Sequence, residues 1–300
     1  MKKAVELYQQ IPNELFANNL DRKLSSPPKP MLRRAYGFWS DLLGFGSPFY
    51  ENNWSITINK WIDIHDRLLN AHTIAFRNCS PNERALILND GIAKVFNPQN
   101  DPYRNYLLDI SVFLRGIVLT HLDINKLEKE NNLPGTRSVL AFGENLSYIE
   151  SEIKLDDFYL NYSKKNPDEC SEGAKKAGNP TIVYNPSQLQ MNTAFSKAYI
   201  LESLGSKGGL HGHHFYIDNS VIDSLKSYAE VLKYDYIWEE TDKYIEFLIP
   251  RKKNDRNDVV LGLRLGLPFT PTNNKWDTTV YRLLRFYPWD EKADEFWFEL

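Results

Sequence analysis

Apolar residues recur with a helical period through the first part of the chain and with a strand period through the last. Short helical patterns run through residues 4–10 and 13–24, and Ser25-Ser-Pro-Pro-Lys-Pro30 then breaks the chain. A further helix is expected at 31–43. The clearest one lies at 54–76, where Ile58, Ile62, His65, Leu69, His72 and Phe76 recur at three- and four-residue spacing. Such spacing forms one continuous helix face. Asn82 can cap another helix reaching about residue 96. Residues 103–120 read as a helix, or as a helix running into the β-branched strand Ile117-Val-Leu-Thr.

The texture changes near residue 137. Short runs at 139–142, 182–184 and 189–195 are bounded by Gly, Pro, Asn and Ser, as strands are. Residues 163–179 are polar and lysine-rich and read as an exposed loop. Strands follow at 213–218, 236–239, 244–249, 259–267, 279–287 and 295–300, with an amphipathic helix at 221–233. The expected fold class is α+β: a mainly helical region at 1–132 packed on a mostly antiparallel, β-rich region at 133–300, with one shared core.

Composition narrows the function classes. Sixteen Phe, 17 Tyr and 7 Trp bring the aromatic share to 13%, enough to line an apolar pocket for a small or peptide-like molecule. A net charge of −3 argues against coating nucleic acid. Cys79 and Cys170 form no CxxC and are too few for a disulfide framework or a cysteine zinc site. The apolar stretch from Leu107 to Leu122 is interrupted by Asp109 and Arg115, which argues against a membrane span. The expected location is the cytoplasm.

Candidate chemistry concentrates in Gly205-Ser-Lys-Gly-Gly-Leu-His211-Gly-His213-His214-Phe-Tyr-Ile-Asp218, which holds three of the chain's six histidines. On a strand His211 and His213 would share a face, giving two nitrogen ligands to one divalent metal (iron or zinc), with Asp218 as the carboxylate. This segment resembles the first metal motif of the cupin family, with Asp218 where cupins carry Glu and Leu225 where they carry Gly. No histidine follows His214 to supply their second motif. Asp218 could equally cap the helix after it. His121-Leu-Asp123 is similar to the first two ligands of the iron and 2-oxoglutarate dioxygenases, which makes Asp123 a second candidate carboxylate. Arg67-x4-His72 fits the loose pattern of the HEPN ribonucleases.

A second constellation is metal-free. Arg264 stands between Gly262 and Gly266, and the later strand adds Tyr281 and Arg285. Arginine among small residues suits a phosphate, diphosphate or carboxylate. No P-loop, GxGxxG, GxSxG or HExxH occurs. The sequence therefore supports a metal-dependent enzyme acting on a small or peptide-like molecule in an aromatic-lined pocket. The alternatives are a metal-free transferase or binder using Arg264, Tyr281 and Arg285, and a non-catalytic interaction protein.

Overall fold

In a computed structural model the described residues are 30–79, 83–98, 106–148, 191–252, 255–256, 258–287 and 298–300. By its contacts the chain divides into Met1–Leu32 with Leu146–Ser187, and Arg33–Asn145 with Gln188–Leu300. The described elements belong to the second unit, apart from the first residues of β1 and the last of β4. The helices expected at 4–10 and 13–24, the strand at 182–184 and the loop at 163–179 lie outside the described residues.

The fold is α+β. Its elements are β1 (Pro30–Leu42), α1 (Ser47–Glu51), α2 (Ile58–Arg77), β2 (Glu83–Leu88), β3 (Gly91–Phe96), α3 (Tyr106–Glu130) and β4 (Thr136–Tyr148). Then come α4 (Thr193–Leu204), β5 (Phe215–Asp218), α5 (Asn219–Val231), β6 (Ile237–Glu240), β7 (Tyr244–Pro250), β8 (Val259–Gly266), β9 (Val280–Tyr287) and β10 (Phe298–Glu299). One sheet runs β2-β3-β1-β4-β5-β9-β8-β7-β6, with β10 beside β9. β4 and β5 are parallel, and the β1–β3, β2–β3, β5–β9, β9–β8, β8–β7 and β7–β6 pairs are antiparallel. Strands on both sides of residue 132 build this sheet.

Two expected helices are strands. Residues 31–43 form most of β1, a central strand that buries both faces: Tyr36 and Phe38 on one, Ala35 and Trp39 on the other. A strand covered twice reads as a continuous apolar run and loses its alternation. The helix expected from Asn82 to about 96 is the β2–β3 hairpin, turning at Asn89 with φ 56. Residues 193–195, expected as strand, open helix α4, where the Asn192 side chain accepts from the Phe195 amide at 2.9 Å.

Layers follow from side-chain alternation. Tyr36, Phe38, Leu140 and Ile217 of the sheet pack with Ile110, Phe113 and Ile117 of α3 and Leu225 of α5. On the opposite face Ala35, Trp39, Val139 and Ala141 meet Ala194, Ala198 and Leu201 of α4. Gly37 permits this contact, because a Cβ there would sit 2.4 Å from the Phe195 amide nitrogen. Helix α2 buries Ile64, Ala71, Ile74 and Ala75 against Leu42, Ile92 and Ile124. Its other face, the stripe from Ile58 to Phe76 read from the sequence, is largely in solvent.

Candidate functional site

The histidine segment does not continue strand β5. Gly212, at φ 63, turns the chain, and residues 211–214 precede the strand. The alternation expected of His211 and His213 therefore has no strand to act on, and both are exposed. Burial, followed by Arg282 and His213, pushes the His214 imidazole down to about 4. The Asp218 carboxylate is buried and committed to the helix: it accepts from the Ser220 amide at 3.0 Å and the Thr278 hydroxyl at 2.5 Å, and caps α5. Among the described residues no group of three His, Cys, Asp or Glu side chains could hold a metal. Iron or zinc on these histidines thus gains no support.

His121 and Asp123 lie two residues apart inside α3 and diverge. Asp123 pairs with Arg77 at 2.8 Å, whereas His121 is buried against Ser138. Arg67 and His72 likewise separate, His72 reaching the Asn89 carbonyl at 2.8 Å and Arg67 turning inward to Glu128.

Arg264 and Arg285 stand opposite one another across the β8–β9 pair. A register shift between Arg264 and Leu265 leaves residue 284 unmatched, while Leu263↔Phe286 and Leu265↔Leu283 face the main core. Tyr281 belongs to that core face; Arg264 lies opposite it by alternation, and the bulge turns Arg285 to the same side as Arg264. Glu246 holds Arg264 at 2.8 Å, Glu299 holds Arg285, and the Tyr281 hydroxyl donates to Asn219 at 3.2 Å. The three residues do not converge.

A different set is coupled by charge, at the end of β1. Asp41 is opposite Gly91 in the β1–β3 register, one residue from Asp90 at the hairpin tip, and the Asp90 charge acts on Asp41. The Leu42 amide bonds the Asp90 carbonyl at 3.4 Å. Among the described residues no hydrogen-bond donor meets the Asp41 carboxylate. Desolvation, then the charges of Glu202 and Asp90, push this group up to about 7. Burial also raises Asp90.

Two buried ion pairs frame these carboxylates. Arg137 donates from Nε and Nη2 to Glu202 at 2.9 and 2.6 Å, and from Nη1 to the Leu210 carbonyl at 3.0 Å. Arg67 meets Glu128 at 2.9 and 2.6 Å and also donates to the Leu43 carbonyl at 2.9 Å. Glu128 in turn accepts from the Gly135 amide at 3.3 Å. The pair thereby ties together the chain just after Asp41 and the entry to β4. A cavity of about 570 Å³ is lined by both its members, with Phe45, Ile64, Ile124 and Leu133.

A buried relay braces the same strand end from inside. Asn125 Nδ2 donates to His121 Nε2 at 3.0 Å, which fixes the proton on Nδ1, 2.8 Å from the Ser138 hydroxyl. Ser138 donates to Ser40 at 2.9 Å, Ser40 meets Thr136 at 2.7 Å, and Thr136 donates to the Asp41 carbonyl at 2.8 Å. Burial holds the His121 imidazole down at about 3, so it stays neutral.

The sequence matches no protein-family profile and no curated protein. Solved structures similar in fold include the guanylyl cyclase Cya2, 12% identical, covering 88% of this chain and 96% of that one at a TM-score of 0.41. Another is the adenylyl cyclase CyaB from P. aeruginosa, 11% identical, covering 89% of this chain and 98% of that one at a TM-score of 0.37. Likenesses this distant assign no residue a role.

Proposed function

We propose that the protein is a divalent-cation-dependent enzyme acting on a phosphate-bearing small molecule, with Asp41 and Asp90 as the cation-holding pair. The Asp41 carboxylate carries this reading: it is half-buried, meets no hydrogen-bond donor among the described residues, and is pushed up to about 7 by burial and by the charges of Glu202 and Asp90. A cation held by these carboxylates would offset the burial and the negative charge that raise Asp41. The donors are hard oxygens, which suit Mg²⁺ or Mn²⁺. Mg²⁺ held by one or two carboxylates commonly completes its shell with water and substrate phosphates, which is why the substrate class is phosphate-bearing. When bound, such a cation would supply charge neutralisation to phosphate oxygens.

The chain's own residues supply rigidity. The Arg67–Glu128 pair anchors Leu43 and Gly135, and Thr136 anchors the Asp41 backbone. A nucleoside triphosphate is a suitable probe, since its phosphates present several oxygens to one cation. Incubation with each triphosphate and Mg²⁺ or Mn²⁺ is expected to give a new product by chromatography. Asp41→Asn and Asp90→Asn should each lower the rate by about a hundredfold or more, consistent with loss of a charge-stabilising group. Absence of turnover with every triphosphate and both cations, or full activity in both variants, contradicts the reading.

A further inference from the structure

Helix α2 carries an apolar stripe that nothing in the described fold covers. Ile58 is 72% exposed, Ile62 52%, Leu69 53% and Phe76 64%. With His65 and His72 between them, these positions repeat at steps of four, three, four, three and four residues. That is the a/d heptad seam of a helix that packs against another helix. The core does not use it, because α2 is anchored through Ile64, Ala71, Ile74 and Ala75.

The turn before α2 extends the stripe. Tyr50 is 66% exposed, Trp54 70% and Trp61 49%. Asn53 and Trp54 both hold positive φ, 48 and 62, a conformation that Asn tolerates but a bulky Trp rarely adopts. Aromatic side chains bury about 150–250 Å² each, so the whole patch approaches the ~800 Å² that each partner gives to a stable interface.

We infer that this face is the interface of a homodimer, in which α2 packs antiparallel against α2 of a second copy. The seam is self-complementary about its midpoint. An antiparallel pairing sets Ile58 against Phe76, Ile62 against His72 and His65 against Leu69 of the second copy, so every histidine meets an aliphatic side chain. A parallel pairing would stack each histidine on its own counterpart. A two-fold axis perpendicular to the helices generates this antiparallel, isologous arrangement. At 20 residues the helix offers about 30 Å of seam.

Sedimentation velocity on the full chain, from sub-micromolar to tens of micromolar, tests the interface. The wild type should dimerise reversibly. Leu69→Glu should raise the dissociation constant by about a hundredfold or more, because the charge would be buried in the seam. Its circular dichroism should stay unchanged, since Leu69 is outside the core. Val231→Glu, at another exposed apolar side chain, should leave dimerisation as it was. Orientation is read in a Cys79→Ser, Cys170→Ser background by oxidising a mixture of His65→Cys and Leu69→Cys proteins. A disulfide joining the two different proteins is expected. A wild type monomeric at every concentration, a dimer indifferent to Leu69→Glu, or disulfides only between identical chains overturns the inference.

Discussion

Asp41 ends a strand in a place where its charge is unwelcome, and the consequences are measurable in its pH dependence. Its carboxyl is raised from 3.8 to about 7 in the fold, first by burial and then by Glu202 and Asp90. The folded chain therefore holds this proton over a range where the unfolded chain has released it. The associated stability is fully present below about pH 4 and is lost as pH rises through about 7. Asp41→Asn removes that titration. In a chelator, its melting temperature relative to wild type should rise by several degrees between pH 5 and pH 8. A constant difference across that range would mean that Asp41 is not the strained group described above. Little at this scale was legible in the sequence: an Asp at the end of an apolar run and an Asp before Gly91 look ordinary until the β1–β3 register joins them. The clustered histidines drew attention instead, yet Gly212 bends them away from the strand geometry on which their pairing depended.

At the scale of elements, buried charge is arranged as braces. Arg67 and Glu128 are nearly buried, with side chains 10% and 6% exposed, and each also holds a backbone group. Removing one partner leaves the other's charge unpaired, so Arg67→Met should destabilise the fold by about 3–5 kcal/mol in a denaturant titration. Arg67→Met combined with Glu128→Leu should recover much of that loss. Additive losses from the two changes would show that the residues do not act as a pair. Helices were legible where polar and apolar faces alternate, and α5, β7, β8 and β9 follow the expected pattern closely. The exceptions have a common cause. β3 and the second half of β1 are buried on both faces, so their period of two is erased. α2 buries only Ile64, Ile74 and the small Ala71 and Ala75, while a longer row of large residues faces outward, so its strongest hydrophobic signal marks the solvent side. The β2–β3 hairpin had a usable signal in Asn89-Asp90-Gly91, a turn sequence that a helical reading of 82–96 overrode.

Across the whole molecule, helices on both faces of one sheet leave the end of β1, the tip of the β2–β3 hairpin and the start of β4 as neighbours. The α+β class was readable from the shift in periodicity along the chain. The site was not, because Asp41, Asp90 and the ion pairs that frame them, Arg67–Glu128 and Arg137–Glu202, come from separate elements and turns. None of the helices described is long and apolar enough to cross a membrane. Manganese titration by calorimetry at pH 7.5 measures ion binding at Asp41 and Asp90. The wild type should bind Mn²⁺ saturably, and Asp41→Asn and Asp90→Asn should each weaken that binding by about tenfold or more, while His211→Ala/His213→Ala leaves it unchanged. Binding that survives both aspartate changes, or that disappears with the histidines, would contradict the account.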